Sequence, residues 1–283
     1  MASSPTTLSS MKIVLTLSGN SERFTSQGYP IKPLIKIHGR TILNYVMSVF
    51  PNVPDNDFIF IVKNEDLAST TIKQAILEER KSQICAIPKN TLGPVYSISH
   101  AFDHIPDDEE IVVSYCDLSQ NWDFDAFLQY CRNSKSDGCI VTHVGLHPHK
   151  FYNASFAFLT VNGEDVTYIH EKKPIKDVAP NEPASNGIYY FKSGKIMKHY
   201  FRKLMDEKLA VNGEYYVTVP YNLMIKDGLK VTHYNTDNYV CLGTPADVIC
   251  FESWLNILKY NNLTSSDAGF VFKYWQKYRD TAH

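Results

Sequence analysis

Met11-Lys12-Ile13-Val14-Leu15-Thr16-Leu17-Ser18-Gly19-Asn20-Ser21-Glu22-Arg23-Phe24 is the stretch that decides the fold. Met11–Leu17 is a short, nearly continuous apolar run, the pattern of a strand buried on both faces. It gives way to the loop Ser18–Gly28, and a helical stretch follows at Thr41–Phe50, completing one strand-loop-helix unit. A loop of small residues lets backbone N–H groups approach an anion closely, and Arg23 and Lys32 add cations near it. The same spacing also describes a plain turn after a strand. It is not a P-loop, which places Gly-Lys-Ser/Thr at the start of a helix.

Outward from this unit, strand and helix patterns alternate. Phe58–Val62 and Gln83–Ile87 read as further buried strands, with one helix predicted over Glu65–Arg80 between them. A helix opens after the loop Asn90–Pro94, and Ile111–Tyr115 forms a strand ending at Cys116-Asp117. Beyond the predicted helix Asp123–Cys131 the character becomes antiparallel, with strands at Cys139–Val144, Ser155–Thr160, Val166–His170 and Gly187–Phe191 and a hairpin signal at Asn162-Gly163. Helices are predicted at Ser193–Glu207, Tyr215–Lys226 and from Thr244-Pro245 to Lys259, with strands at Leu229–Tyr234 and Tyr239–Leu242. The expectation is an α/β fold: a Rossmann-like mixed, mainly parallel sheet flanked by helices, with an antiparallel part. The expected organisation is a mobile tail over residues 1–10, one domain over 11–260 and a helical extension over 261–283 that includes Ser265–Tyr278.

With 283 residues, a hydrophobic fraction of 44% and a charged fraction of 20%, the chain has the composition of a globular protein, not a disordered or fibrous one. A net charge of −2 and a pI near 6.5 supply no global basic field, which disfavours a nucleic-acid partner. No apolar run reaches the ~18–20 residues of a membrane span, and the leader Met1–Ser10 lacks the basic and apolar regions of a signal peptide. The six cysteines form no CxxC pair and read as reduced core residues, which suits the cytoplasm.

Several separated motifs share one order. Ser18-Gly19-Asn20-Ser21-Glu22-Arg23-Phe24, Lys32-Pro33-Leu34 and Gly39-Arg40-Thr41-Ile42-Leu43 resemble the A-G-x-G-x-R, K-P and G-[KR]-x-[IM]-[IL] elements of the sugar-phosphate nucleotidyltransferases. Asn90-Thr91-Leu92-Gly93-Pro94-Val95 is similar to that family's L-G-[TP]-[AV] turn, and Asp117 matches its metal-binding aspartate. Glu171-Lys172-Lys173-Pro174 resembles E-K-x-P, Ser185–Phe191 resembles N-x-G-I-Y-x-F, and Tyr239–Pro245 is similar to W-x-D-[IT]-G-T-P from Leu242 onward. The likeness runs from Met11 to about Trp254.

The resemblance implies the nucleotide-diphospho-sugar transferase type of fold and a cytoplasmic enzyme. It would transfer a nucleoside monophosphate from a triphosphate to a small phosphorylated acceptor such as a sugar phosphate, releasing pyrophosphate. Products of this class commonly feed surface polysaccharide such as capsule. Leu17, Ser18, Gly19, Asn20, Ser21, Leu92 and Gly93 would bind nucleotide, and Arg23 and Lys32 would neutralise phosphate charge as catalytic residues. Glu171, Lys172, Asn186 and Gly187 would bind the acceptor, and Asp117 would hold Mg²⁺. The similarity of Lys32–Ile42 to cytidylyltransferase sequences favours CTP among the triphosphates.

Two residues depart from the pattern. Ser21 replaces the second glycine, and Cys241 stands where many relatives have a second metal-binding Asp. A thiol is a poor ligand for magnesium, so Glu214 is the candidate second oxygen ligand, with helix-terminal charge stabilisation as its alternative role. His143, His147 and His149 lack partners at zinc-ligand spacing. His147 and His149, with Lys150, instead border the acceptor side, where they would read a negatively charged acceptor; a plain surface loop is the alternative. Two other readings stay open: a glycosyltransferase of related fold, which would normally carry Asp-x-Asp where this chain has Asp117-Leu118-Ser119, and a regulatory or scaffolding homologue without catalysis. A homo-oligomer is compatible with the sequence.

Overall fold

The alternation of side chains along the central strands divides the core into two layers. Ile13 and Leu15, Phe58, Phe60 and Val62, Val112, and Ile188 and Tyr190 pack into one layer. Their strand neighbours Val14, Ile59 and Ile61, Ile111 and Val113, and Tyr189 and Phe191 pack into the other. Successive residues of a strand face opposite sides, so a strand apolar at every position must lie between two apolar layers. The computed structural model describes residues 10–145, 156–173 and 182–260, the last four as backbone. His147, His149, Lys150, Pro174, most of the expected tail and the Ser265–Tyr278 segment lie outside these residues.

In chain order the strands are β1 (Met11–Thr16), β2 (Lys36–Ile37), β3 (Arg40–Thr41), β4 (Phe58–Lys63), β5 (Gln83–Ile87), β6 (Glu110–Tyr115) and β7 (Leu118–Gln120), then β8 (Gly138–His143), β9 (Ala157–Asn162), β10 (Asp165–Glu171), β11 (Ala184–Phe191), β12 (Val231–Asn235) and β13 (Tyr239–Cys241). Nine of them form one sheet in the order β5-β4-β1-β6-β11-β8-β12-β10-β9. β5, β4, β1 and β6 run parallel, and β11 enters antiparallel between β6 and β8. β8 and β12 are parallel, while β10 pairs antiparallel with both β12 and β9. A small ladder of β7 with β13 stands apart from the main sheet. The expected mixed, mainly parallel sheet is therefore present.

The helices are α1 (Glu22–Thr25), α2 (Ile42–Met47), α3 (Asn64–Ser69), α4 (Ile72–Glu79), α5 (Pro94–Ser99), α6 (Phe124–Asn133), α7 (Gly194–Asp206), α8 (Val219–Lys226) and α9 (Pro245–Tyr260). Caps set several starts: Thr41 Oγ1 accepts from Asn44 N at 3.1 Å, and Asp123 Oδ1 accepts from Ala126 N at 2.9 Å. α1 is too short to persist alone and is pinned by Phe24, which is fully buried against the edge of Tyr29.

Two helix expectations are corrected. The helix predicted over Glu65–Arg80 is two helices, because Thr70 takes an extended conformation while its Oγ1 donates to Asp66 O at 2.6 Å and accepts from Ile72 N at 3.2 Å. The helix predicted from Tyr215 starts at Val219 instead. Tyr215 N donates to Leu92 O at 2.8 Å and Tyr215 O accepts from Val95 N at 3.0 Å, so its backbone is committed to the neighbouring loop.

Candidate functional site

At the carboxyl ends of β1 and β6, where open α/β sheets collect ligands, the chain leaves an open cavity of about 270 Å³. Ser18, Gly19, Asn20 and Lys32 line one side, Asn90, Thr91, Gly93, Pro94 and Ser97 another, and Tyr115, Cys116 and Asp117 the floor, with Glu214 and Tyr216 closing it. Lys32 Nζ lies 2.9 Å from Asp117 Oδ2, joining two residues that are 85 positions apart in sequence. Burial disfavours the ammonium, but the Asp117 carboxylate more than offsets this and holds its pKa above the ordinary lysine value.

Ser21 occupies the glycine position of the motif for a structural reason. Its Oγ accepts a hydrogen bond from Lys32 N at 3.0 Å, and the residue is 7% exposed. The hydroxyl ties the end of the first loop to the lysine. Leu17 is also buried, with its N–H bonded to Ile61 O at 2.9 Å, so both residues brace the loop. Arg23 projects exposed from α1, and Leu92 is exposed at the tip of the second loop.

Gly93 is required twice over. Its φ is +90°, and a Cβ there would sit 2.9 Å from Tyr215 N and 3.0 Å from Glu214 Cβ. The contact that excludes a side chain is the one that clamps residues 90–95 against the Glu214–Tyr216 segment. That segment follows a tight turn in which Asn212 and Gly213 both have positive φ.

The expected acceptor residues gather around β10 and β11. Glu171 Oε2 accepts from Thr218 Oγ1, and Lys172 Nζ donates to Tyr216 Oη while lying 4.2 Å from that ring's centroid. Burial pushes the Glu171 carboxyl up to about 7, with Thr218 and Lys172 opposing the rise and Glu214 adding to it. Tyr216 and Thr218 were not legible as site residues, because their partners lie 44 and 47 positions upstream. In β11 a bulge between Ser185 and Tyr189 accommodates Asn186 and Gly187. Asn186 Oδ1 accepts from Ile188 N at 3.1 Å, its Nδ2 donates to Gln120 Oε1 at 2.7 Å, and Gly187 takes a φ of +99° over Leu118 and Tyr115. His143 is buried between Phe156 and Tyr239, with ring centroids 4.9 and 4.5 Å away.

The donor set for a divalent cation is uneven. Asp117 and Glu214 both line the cavity and offer the hard oxygens that magnesium prefers. Cys241 comes close to Asp117: Cys241 Sγ and Asp117 Oδ2 lie 3.4 and 3.3 Å from the point where a Gly243 Cβ would stand. Its thiol is pushed up by burial and then by Asp247 and Asp117, and lies 3.6 Å from Asp247 Oδ2. That oxygen already accepts from Thr244 N and Oγ1 at 2.8 and 2.7 Å, so Asp247 serves as a cap for α9. Among the described residues there is no group of three or more His, Cys, Asp or Glu side chains that could hold a metal. The residues fit an ion sharing its coordination with a ligand and water, anchored by Asp117, and Cys241 does not fit as the second magnesium ligand.

The sequence profile of the MobA-like NTP transferase domain matches residues 13–168. The bifunctional protein GlmU of Alkaliphilus metalliredigens is 24% identical over 233 residues, covering 81% of this chain and 48% of the relative. GlmU of Thermosipho africanus is 23% identical over 217 residues, covering 74% and 42% respectively. The chain thus spans about half the length of the curated relatives it matches. Among solved structures, a nucleoside-diphosphate-sugar pyrophosphorylase from Vibrio cholerae aligns with a TM-score of 0.66 at 23% identity over 85% of this chain and 99% of that one. The inositol-1-phosphate CTP transferase of T. maritima aligns at 0.64 and 14% identity over 87% and 97%. At these identities the structural likeness establishes the shared fold.

Proposed function

The chain belongs to the MobA-like NTP transferase family, and from that premise we propose that it transfers a nucleoside monophosphate from a triphosphate to a small phosphorylated acceptor, a sugar phosphate or related ester. The observation that carries this reading is the Lys32–Asp117 pair at the floor of a cavity bounded by the two loops that the family's motifs mark. A glycosyltransferase reading lacks the second aspartate, since Leu118 and Ser119 follow Asp117.

The triphosphate lies against Ser18–Asn20 and Gly93, where small residues admit phosphate oxygens close to the backbone. Glu171, Lys172, Asn186 and Gly187 orient the acceptor, joined by His147 and His149. An oxygen of the acceptor phosphate forms a bond to the α-phosphorus as the bond from that phosphorus to the bridging oxygen breaks, and pyrophosphate leaves with the electron pair. The attacking phosphate is ionised near neutral pH, its second pKa being about 6, so no protein base is required. Lys32 and Arg23 neutralise charge on the reacting phosphates, and alignment supplies much of the remaining acceleration. Mg²⁺, when bound, would be held by Asp117, with Glu214 as second ligand, and would offset charge on the triphosphate.

The product, an activated nucleotide precursor, suits surface polysaccharide assembly. Four of the cysteines are buried free thiols, which supports a reducing, cytoplasmic setting. The test is pyrophosphate release from CTP, UTP, dTTP and GTP, each with Mg²⁺ and a panel of glucose 1-phosphate, N-acetylglucosamine 1-phosphate, inositol 1-phosphate and choline phosphate. One pair is expected to turn over, CTP leading. Cleavage of a nucleotide sugar with no pyrophosphate from any pair would replace this reading with the glycosyltransferase one.

A further inference from the structure

Gln120 carries a buried amide whose orientation is fixed by a chain of hydrogen bonds. Ile188 N–H can only donate, and it donates to Asn186 Oδ1 at 3.1 Å. The Asn186 Nδ2 group therefore faces Gln120, and donates to its Oε1 at 2.7 Å. Thr236 Oγ1 approaches the same oxygen at 3.4 Å. The amide nitrogen of Gln120 is thus turned away from all three, and among the described residues Nε2 is buried without a hydrogen-bond partner. The residue as a whole is 6% exposed.

A buried donor left unpaired costs about 1–3 kcal/mol, and native folds rarely retain one without a use. Arg80 Nε and Glu109 Oε2 are also buried without hydrogen bonds, but each has an ion-pair partner, at 3.7 and 3.9 Å. Gln120 Nε2 has neither. Its place in the fold suggests the use. β7 leaves directly from Asp117, and Leu118 and Gln120 share one face of it. Leu118 Cδ2 lies 3.0 Å from where a Gly187 Cβ would sit, so this face meets the β11 bulge that holds Asn186 and Gly187.

We propose that Gln120 is a specificity-determining residue whose Nε2 donates to an uncharged oxygen, a hydroxyl of a polyhydroxylated phosphate ester, as the acceptor seats against Asn186 and Gly187. The side chains that meet the amide at its oxygen, Asn186 and Thr236, are neutral, and the amide itself carries no charge, so the donor suits a hydroxyl and not the phosphate. The amide is closed to solvent in the free protein, so the contact forms with acceptor entry. A site that hydrogen-bonds a substrate hydroxyl discriminates strongly against analogues lacking it.

This inference rests on the nucleotidyl-transfer reading, and its test separates the two. Using whichever acceptor in the panel above turns over, Q120M and Q120E are compared with wild type at pH 8. Q120E retains an oxygen for Asn186 Nδ2 and so serves if Q120M does not fold. The acceptor KM is expected to rise about tenfold or more while the triphosphate KM stays unchanged. One monodeoxy form of the acceptor should bind wild type and Q120E equally poorly. An unchanged acceptor KM, a parallel rise in both KM values, or the absence of any such deoxy position overturns the proposal. If wild type releases no pyrophosphate with any pair, the transfer reading fails, and calorimetric titration with glucose 1-phosphate and inositol 1-phosphate decides this one. Binding weakened about tenfold in Q120E supports it, and equal or absent binding overturns it.

Discussion

Ser21 Oγ accepts a hydrogen bond from Lys32 N at 3.0 Å, so the side chain that replaces a glycine in the family's first-loop motif holds the lysine that faces Asp117. Ser21→Ala removes this tie and leaves Lys32 N without its partner. A hydrogen bond of this kind contributes about 0.5–1.5 kcal/mol, so turnover should fall about two- to tenfold with little change in acceptor KM. Steady-state kinetics of the variant checks this, and an unchanged kcat would show that the tie does not position Lys32.

Lys32→Ala and Asp117→Ala should each lower kcat by about two to three orders of magnitude. Circular dichroism and thermal melts should find the fold intact in both, because the pair lines the cavity and belongs to neither core layer. Near-normal rates in both variants would remove these residues from the chemistry.

Gly93→Ala places a Cβ against Tyr215 N at 2.9 Å and forces a left-handed conformation on a residue with a side chain. The strain is about 1–3 kcal/mol. Denaturant melts should report that loss, and the triphosphate KM should rise because the 90–95 loop is displaced from the Glu214–Tyr216 segment.

The Glu171 carboxyl is raised to about 7 from its ordinary 4.5. Between these values the folded chain keeps a proton that the unfolded chain has lost, so this residue's stabilising contribution is full below 4.5 and declines as pH rises toward 7. Glu171→Gln should flatten that part of the Tm-against-pH profile. A profile of unchanged slope in the variant would assign the raised carboxyl no role in stability.

Glu214→Gln keeps the shape of the cavity wall and removes its charge. If Glu214 is the second oxygen ligand, the Mg²⁺ concentration for half-maximal rate should rise about tenfold, with nucleotide binding in the absence of metal unaltered. An identical magnesium dependence excludes the role.

The central strands were legible because residues apolar at every position, as in Phe58–Val62, are compatible with only one place in such a fold, between two layers. The break at Thr70 was not, because apolar residues continue on both sides of it, Leu67 before and Ile72, Ala75 and Ile76 after, and the interruption is made by a side-chain hydroxyl bonding to backbone. Tyr215 misled for a related reason: its neighbours support a helix, while its own N–H and C=O are claimed by residues 92 and 95. At the site, the family likeness pointed to Lys32 and Asp117, and no spacing rule could have joined them across 85 positions. Gln120 carried no signal at all, since its significance depends on a hydrogen-bond chain assembled from β7, β11 and Thr236.

Residues 214–218 touch two separate groups of candidate site residues within five positions. Tyr215 grips the loop expected to hold nucleotide, while Tyr216 and Thr218 hold Lys172 and Glu171 at the end of β10. Such a segment cannot diverge piecemeal. On the roles proposed above, a change at 216 or 218 that adapts the chain to a new acceptor would also shift the backbone through which Tyr215 grips the other loop, so acceptor preference and nucleotide preference are expected to be mutationally linked. Relatives that acquire a different acceptor are therefore expected to carry compensating changes at 91–94, and laboratory selection for a new acceptor would progress faster from libraries that vary the two stretches together.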